Sequence, residues 1–240
     1  MTRILAIDTS TAWCSVALSL GDFSPIFRHE MVSAGASQSL LPWIEELLAQ
    51  ENMKLSELDA IAVGIGPGAF TGVRLGVAAV QGLAMSCSLP VIPVVSLDAV
   101  AAQLLHTNSF RQIKPKNVVI ALDARMDEIY WAKYEVATEN LPVRIGDIQL
   151  SKPEDIDLLG IEYIAGSGVK AYGDRLFTRS AQTFDSTSLD ADIQISPLGI
   201  LECAQQKWLL GQQCNVRDLE PLYIRNKVAL TTQERIEAFK

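Results

Sequence analysis

Ile4-Leu5-Ala6-Ile7-Asp8-Thr9-Ser10-Thr11-Ala12-Trp13-Cys14-Ser15-Val16-Ala17-Leu18-Ser19-Leu20 is the stretch that decides the fold. Its two apolar runs, 4–8 and 14–20, flank the polar turn Thr9-Ser10-Thr11 and read as antiparallel strands with a short connection. A third strand is expected at 26–32. Downstream, 37–50 places Leu40, Leu41, Ile44, Leu47 and Leu48 at helical spacing, with Pro42 assigned to the first turn, where proline is tolerated. A short continuous apolar run at 59–65 reads as a buried strand. A helix at 71–86, a strand at 91–95 and a helix at 97–105 follow. The order β-β-β-α-β-α-β-α puts an antiparallel hairpin at the edge of a parallel sheet with helical crossovers, an α/β class.

The polar segment 106–117 is the candidate boundary, giving lobes 1–106 and 107–240. Strands at 118–123 and 128–136 open a second set. A helix at 196–210 closes it, able to pack back on the first lobe, and 222–225 is a tail strand or extended arm. The segment 180–195 is polar and irregular. The second half is thus a shorter, degraded echo of the first, and duplicated units of this kind resemble the actin-like ATPase (ribonuclease H-like) fold.

Composition narrows the function. The 240 residues are 49% hydrophobic and carry a net charge of −8, with no Lys/Arg cluster, so tight nucleic-acid binding by the chain alone is not expected. Cys14, Cys87, Cys203 and Cys214 show no CxxC spacing and have two histidines for company, which does not make a zinc site. His29 and His106 lack a neighbouring Ser or Cys motif and are assigned to a helix end or the surface. The N-terminus runs straight into a strand pattern without a signal-peptide h-region, and a cytoplasmic location is expected. Residues 75–97 carry no charge and are long enough to span a bilayer, but Pro90 and Pro93 interrupt them. A buried helix followed by a buried strand is the reading adopted, with no membrane partner.

The densest glycine cluster is Gly64-Ile65-Gly66-Pro67-Gly68-Ala69-Phe70-Thr71-Gly72-Val73-Arg74-Leu75-Gly76, with Ala79 and Gly82 beyond. Thr71 is the expected N-cap. Glycine inside a helix costs about 1 kcal/mol against alanine, so several call for a compensating close approach. Tight packing within its own lobe is one explanation. An interface helix that a partner covers is the one favoured, with Gly68, Phe70, Thr71, Gly72, Arg74, Leu75, Gly76 and Ala79 as partner-binding residues. No Lys-Ser/Thr follows Gly72, so the loop is not a P-loop. Asp123-Ala124-Arg125 reads as a turn fixed by a local ion pair or as a ligand contact.

Ile7-Asp8-Thr9-Ser10, Gly66-Pro67-Gly68-Ala69-Phe70-Thr71-Gly72-Val73-Arg74, Leu122-Asp123-Ala124-Arg125, Glu128-Ile129-Tyr130 and Glu220-Pro221-Leu222-Tyr223-Ile224-Arg225 run the length of the chain. Together they resemble the TsaB family, relatives of the catalytic TsaD proteins. That resemblance implies an accessory subunit, not an enzyme. Its TsaD-like partner transfers a threonylcarbamoyl group to the adenosine beside the anticodon of tRNAs reading ANN codons, with a TsaE-like ATPase as third component. It also implies a homodimer when the chain is alone, and tRNA contact only through the complex. The wider superfamily implies nucleotide phosphates near Asp8, Thr9, Ser10, Gly166 and Gly168; the bland alternative is a turn acid with capping hydroxyls. No cofactor is expected to be required by this chain, with ATP or ADP and Mg²⁺ entering through the complex. Where the catalytic relative carries a His-x-x-x-His metal pair, this chain has Ser96 and Val100, which cannot replace two imidazoles. Ala36 likewise stands where many relatives have histidine. An active actin-fold ATPase or small-molecule kinase, and a metal-dependent peptidase, are the alternative readings.

Overall fold

The structure, a computed structural model, describes residues 2–21, 24–32, 35–137 and 140–225. Strands β1 (Ile4–Asp8), β2 (Trp13–Ser19) and β3 (Ile26–Met31) form the antiparallel meander. Helix α1 (Ala36–Gln50) leads to β4 (Ala60–Gly66), α2 (Phe70–Cys87), β5 (Val91–Val95) and α3 (Ser96–Leu104). β4 pairs parallel with β1, and β5 parallel with β4, giving the order β3-β2-β1-β4-β5.

The second half repeats this plan. After α4 (Asn108–Ile113), strands β6 (Asn117–Arg125), β7 (Glu128–Glu135) and β8 (Val143–Ser151) form a meander. β9 (Tyr163–Ala165), α5 (Ser167–Tyr172), β10 (Leu189–Asp190) and α6 (Pro197–Leu209) complete it. The order β10-β9-β6-β7-β8 is the first sheet position for position. Only the 3-10 turn Pro153–Asp155 stands where α1 would be, which is the degeneracy expected from sequence. This duplicated topology is the actin-like ATPase fold.

Burial follows the period-2 geometry of the strands. On β1, Leu5 and Ile7 pack with α1 and α2, while Ile4 and Ala6 face a second cluster. That second cluster contains residues of α3 and α6 together with Val118, Ile120 and Tyr163 of the other sheet, so one core is shared between the two lobes. Helix α6 packs on β1, β2, β5 and α3. Its start is capped by Ser196, whose Oγ accepts from Gly199 N, with Pro197 at the first position.

Several local expectations change. Pro42 lies inside α1 rather than in its first turn, because the helix already begins at Ala36. Helix α2 is capped by Ala69, not Thr71, because Ala69 N donates to the Ser10 carbonyl (2.7 Å) and starts the helix earlier. The irregular 180–195 contains β10, a two-residue strand too short to leave a periodic signal. His29 is neither a helix end nor free at the surface: it lies on β3, stacked on Trp13 at 4.4 Å and bonded through Nδ1 to Ser15 Oγ (2.8 Å). His106 does stand at the end of α3, where it pairs with Glu202. Residues 221–225 form an extended arm without strand pairing. The four thiols are free.

Candidate functional site

The turn after β1 lies against the start of α2, and three glycines make the approach possible. A Cβ at Gly64 would overlap the Asp8 carboxylate, one at Gly68 the Ser10 backbone, and one at Gly72 the Thr9 carbonyl oxygen. At Gly76 it would meet Thr9 Oγ1 at 2.9 Å. Thr9 Oγ1 donates to the Gly72 carbonyl (2.7 Å), which ties the two elements together. A Cβ on Gly72 or Gly76 would thus point into their own lobe; Gly76 is buried and Gly72 half-buried. Leu75 and Ala79 are half-buried, while Gly68, Phe70, Thr71 and Arg74 are exposed.

The outward face of α2 runs along Phe70, Arg74, Ala78, Gly82 and Met85. Phe70 is 40% and Met85 64% exposed, and a Cβ at Gly82 would meet nothing within 4 Å. The inward face, Val73, Val77, Val80 and Ala84, fills the core. Among the described residues this is the one helix long and apolar enough to cross a membrane, and it lies along β4 with its inner face in that core. Between α2 and the arm is a cleft of about 450 Å³ lined by Arg74, Val77, Gln81, Leu219 and Tyr223.

Asp8 is fully buried. Its Oδ1 accepts from Ser10 N (3.1 Å) and Ser10 Oγ (3.0 Å), while Oδ2 has no partner among the described residues. Burial pushes its carboxyl up to about 6, partly offset by the two Ser10 bonds. Gly166 (φ +114°) and Gly168 abut the Ala121 carbonyl of β6, again a close approach within one lobe. Among the described residues no hydrogen bond joins these glycines to the Asp8 turn. These residues do not fit a hydrated cation with nucleotide phosphates. The acid is sealed beneath Gly64, Ser10 N is spent on Asp8, and Ala69 N is spent on Ser10.

Ser96 and Val100 both lie fully buried, Val100 in the shared core, and Ser96 Oγ has no partner among the described residues. Asp123 fixes its turn as expected: Oδ1 accepts from Arg125 N (2.8 Å) and Oδ2 faces Arg125 Nη1 at 3.2 Å. Sequence reasoning left Tyr223 and Arg225 out of the site residues. Arg74 Nε donates to Tyr223 Oη (2.8 Å), and Arg225 Nη2 donates to Glu128 Oε2 (2.5 Å). The only signal for them was their place in the segment Pro221-Leu222-Tyr223-Ile224-Arg225.

Both the sequence and the fold match known proteins. Residues 29–236 match the family model for TsaD, tRNA N6-adenosine threonylcarbamoyltransferase. A tRNA threonylcarbamoyladenosine biosynthesis protein TsaB from Haemophilus influenzae is 36% identical, covering 94% of both chains. The Escherichia coli protein of the same name is 33% identical over 95% of this chain and 96% of its own. The solved structure of YeaZ from Pseudomonas aeruginosa superposes with a TM-score of 0.78 at 35% identity, covering 93% of this chain and all of that one. A second solved chain, described as an uncharacterized Pseudomonas aeruginosa protein with similarity to peptidase YeaZ, gives 0.80 at 35% identity, covering 94% and 100%. The chain belongs to the TsaB family of tRNA threonylcarbamoyladenosine biosynthesis proteins.

Proposed function

We propose that the chain is a non-catalytic subunit that binds and activates a TsaD-like enzyme, together with a TsaE-like ATPase, for threonylcarbamoyl transfer to the adenosine beside the anticodon of ANN-reading tRNAs. The observation that carries this reading is the uncovered face of α2, where Phe70, Ala78, Gly82 and Met85 leave a long stripe with Arg74 as its only charge. Aromatic residues, Met and Arg are the types enriched in interface cores. The accessory role is supported by Ser96 and Val100, which put a hydroxyl and an aliphatic side chain in a closed core where the catalytic relative has imidazoles. Net charge −8 favours tRNA contact through the complex rather than by this chain. The same α2 face serves a homodimer when the chain is alone, and the assembly is placed in the cytoplasm.

The experiment is co-purification of the full chain with a TsaD-like subunit, comparing parent, Met85→Glu and Ala78→Arg. Both side chains are exposed, so thermal stability should stay within about 0.5 kcal/mol of the parent. Recovered complex should fall at least tenfold, with tRNA modification falling in parallel. Undiminished complex in both variants would remove α2 as the partner face.

A further inference from the structure

Residues 219–225 cross from the first lobe to the second, and both ends of this arm are anchored. At the first lobe, Leu219 is buried and its carbonyl accepts from Gln81 Nε2 (2.9 Å), while Leu222 N donates to the Ile65 carbonyl (2.8 Å). The Arg74 guanidinium lies 3.5 Å from the Phe70 ring centroid and 5.4 Å from that of Tyr223, making a three-member stack. At the second lobe the Arg225 side chain is only 14% exposed. Its Nη2 donates to the carbonyls of Ala124 (3.1 Å) and Arg125 (3.3 Å) as well as to Glu128, and Nη1 touches Met126 Sδ at 3.2 Å. Two residues of chain, at most about 7 Å, carry Tyr223 to Arg225.

The turn that Arg225 grips is unusual. Arg125, Met126 and Asp127 have φ of +59°, +56° and +62°, three successive non-glycine residues in the left-handed region. Such backbone persists only where its surroundings over-determine it. The second brace is Arg175, which donates to both oxygens of Asp127 (2.6 and 3.0 Å) and to Glu154. What this bracing displays is exposed: Met126 at 58% and the Arg125 side chain at 87%.

We propose that the β6–β7 turn is the second half of the partner surface, and that the arm is a strap holding it in register with the Phe70–Arg74–Tyr223 stack. This rests on the accessory-subunit reading above. The occupant is the TsaD-like subunit, meeting the apolar Phe70, Tyr223 and Met126 and placing a carboxylate opposite the exposed Arg125. Arg225 is a positioning residue: it acts through the turn, its Nη2 alone reaching two carbonyls and a carboxylate.

The test is isothermal titration of the full chain with a purified TsaD-like subunit, paired with hydrogen exchange over 124–128. Met126→Asn removes the apolar tip while supplying a residue at ease in left-handed backbone. Arg225→Ala releases the strap, Arg225→Lys asks how far a single charged nitrogen restores it, and Met85→Glu reports on α2. Met126→Asn should weaken binding at least fivefold without faster exchange. Arg225→Ala should weaken it at least tenfold with faster exchange at 124–128, and Arg225→Lys, which keeps three N–H donors on one nitrogen, should lie between it and the parent. If Met85→Glu weakens binding while Met126→Asn binds like the parent, the strap inference is overturned and the accessory reading stands. If Met85→Glu also binds like the parent, the reading of α2 fails and this inference fails with it. Should Arg225→Ala not fold, Met126→Asn decides alone.

Discussion

Asp8 sits at the end of β1 with no exposed surface, one oxygen bonded to Ser10 and the other to no described residue. Its folded value of about 6 lies above the ordinary 3.8, so the folded chain holds the proton more tightly than the unfolded one. That contribution to stability is fully present below about pH 4, fades as pH rises, and is gone above about pH 6. A tenfold difference in proton affinity between folded and unfolded chains is worth about 1.4 kcal/mol, which makes the whole loss roughly 3 kcal/mol. Asp8→Asn, which cannot ionise, should therefore flatten the fall in thermal stability between pH 4 and 6. Denaturation midpoints across that range check this, and a variant whose slope equals the parent's would refute the buried-acid description. In the sequence, Asp8 reads first as a turn residue and second as a phosphate-site acid. What the sequence does not show is Gly64 on another strand, whose missing Cβ leaves room for the carboxylate.

At the scale of the element, α2 shows that glycines in one helix need not share one cause. Gly72 faces the Thr9 carbonyl, whereas Gly82 faces open space. Gly72→Ala must push against backbone, and such overpacking costs about 1–3 kcal/mol. Gly82→Ala adds a methyl where nothing stands and gains helix propensity, about 1 kcal/mol in the isolated chain. Chemical denaturation of the two variants should thus give shifts of opposite sign, and equal shifts would mean the two faces of α2 are wrongly oriented. Sequence spacing located the helix to within a residue at each end, because Val73, Val77, Val80 and Ala84 keep a helical period. It could not tell the inward from the outward glycines, since glycine carries no hydropathy to mark its side. It also misplaced the cap at Thr71, because Ala69 is bonded by Ser10 some sixty positions away and leaves no local trace.

For the whole molecule, the duplicated meander-and-crossover plan was readable because strand and helix periods alternate clearly through the first half and return at 118–123, 128–136 and 196–210. The strap from α2 to the β6–β7 turn was not, since an extended arm has no period and its meaning lies wholly in what it touches. Nor was the extent to which the lobes share a core: α3 and α6 lie between the sheets and bury Ile4 and Ala6 of one with Val118 and Ile120 of the other. A hinge between lobes needs an interface that can part, and interfaces within a chain part readily when small and polar. This one is apolar and filled by two helices, so the lobes should unfold as a unit. Ile200, fully buried on α6, is the place to ask. Ile200→Ala should cost about 2–5 kcal/mol through lost burial and the cavity left behind. That cost should fall on both sheets at once, because the Ile200 cluster includes residues from each. Hydrogen exchange in increasing urea would follow β1 and β6 separately; within each protein the two should lose protection together, at a lower concentration in the variant than in the parent. If β6 opens while β1 stays protected, the lobes are independent bodies, and the fixed register that the arm is held to provide would lose its foundation.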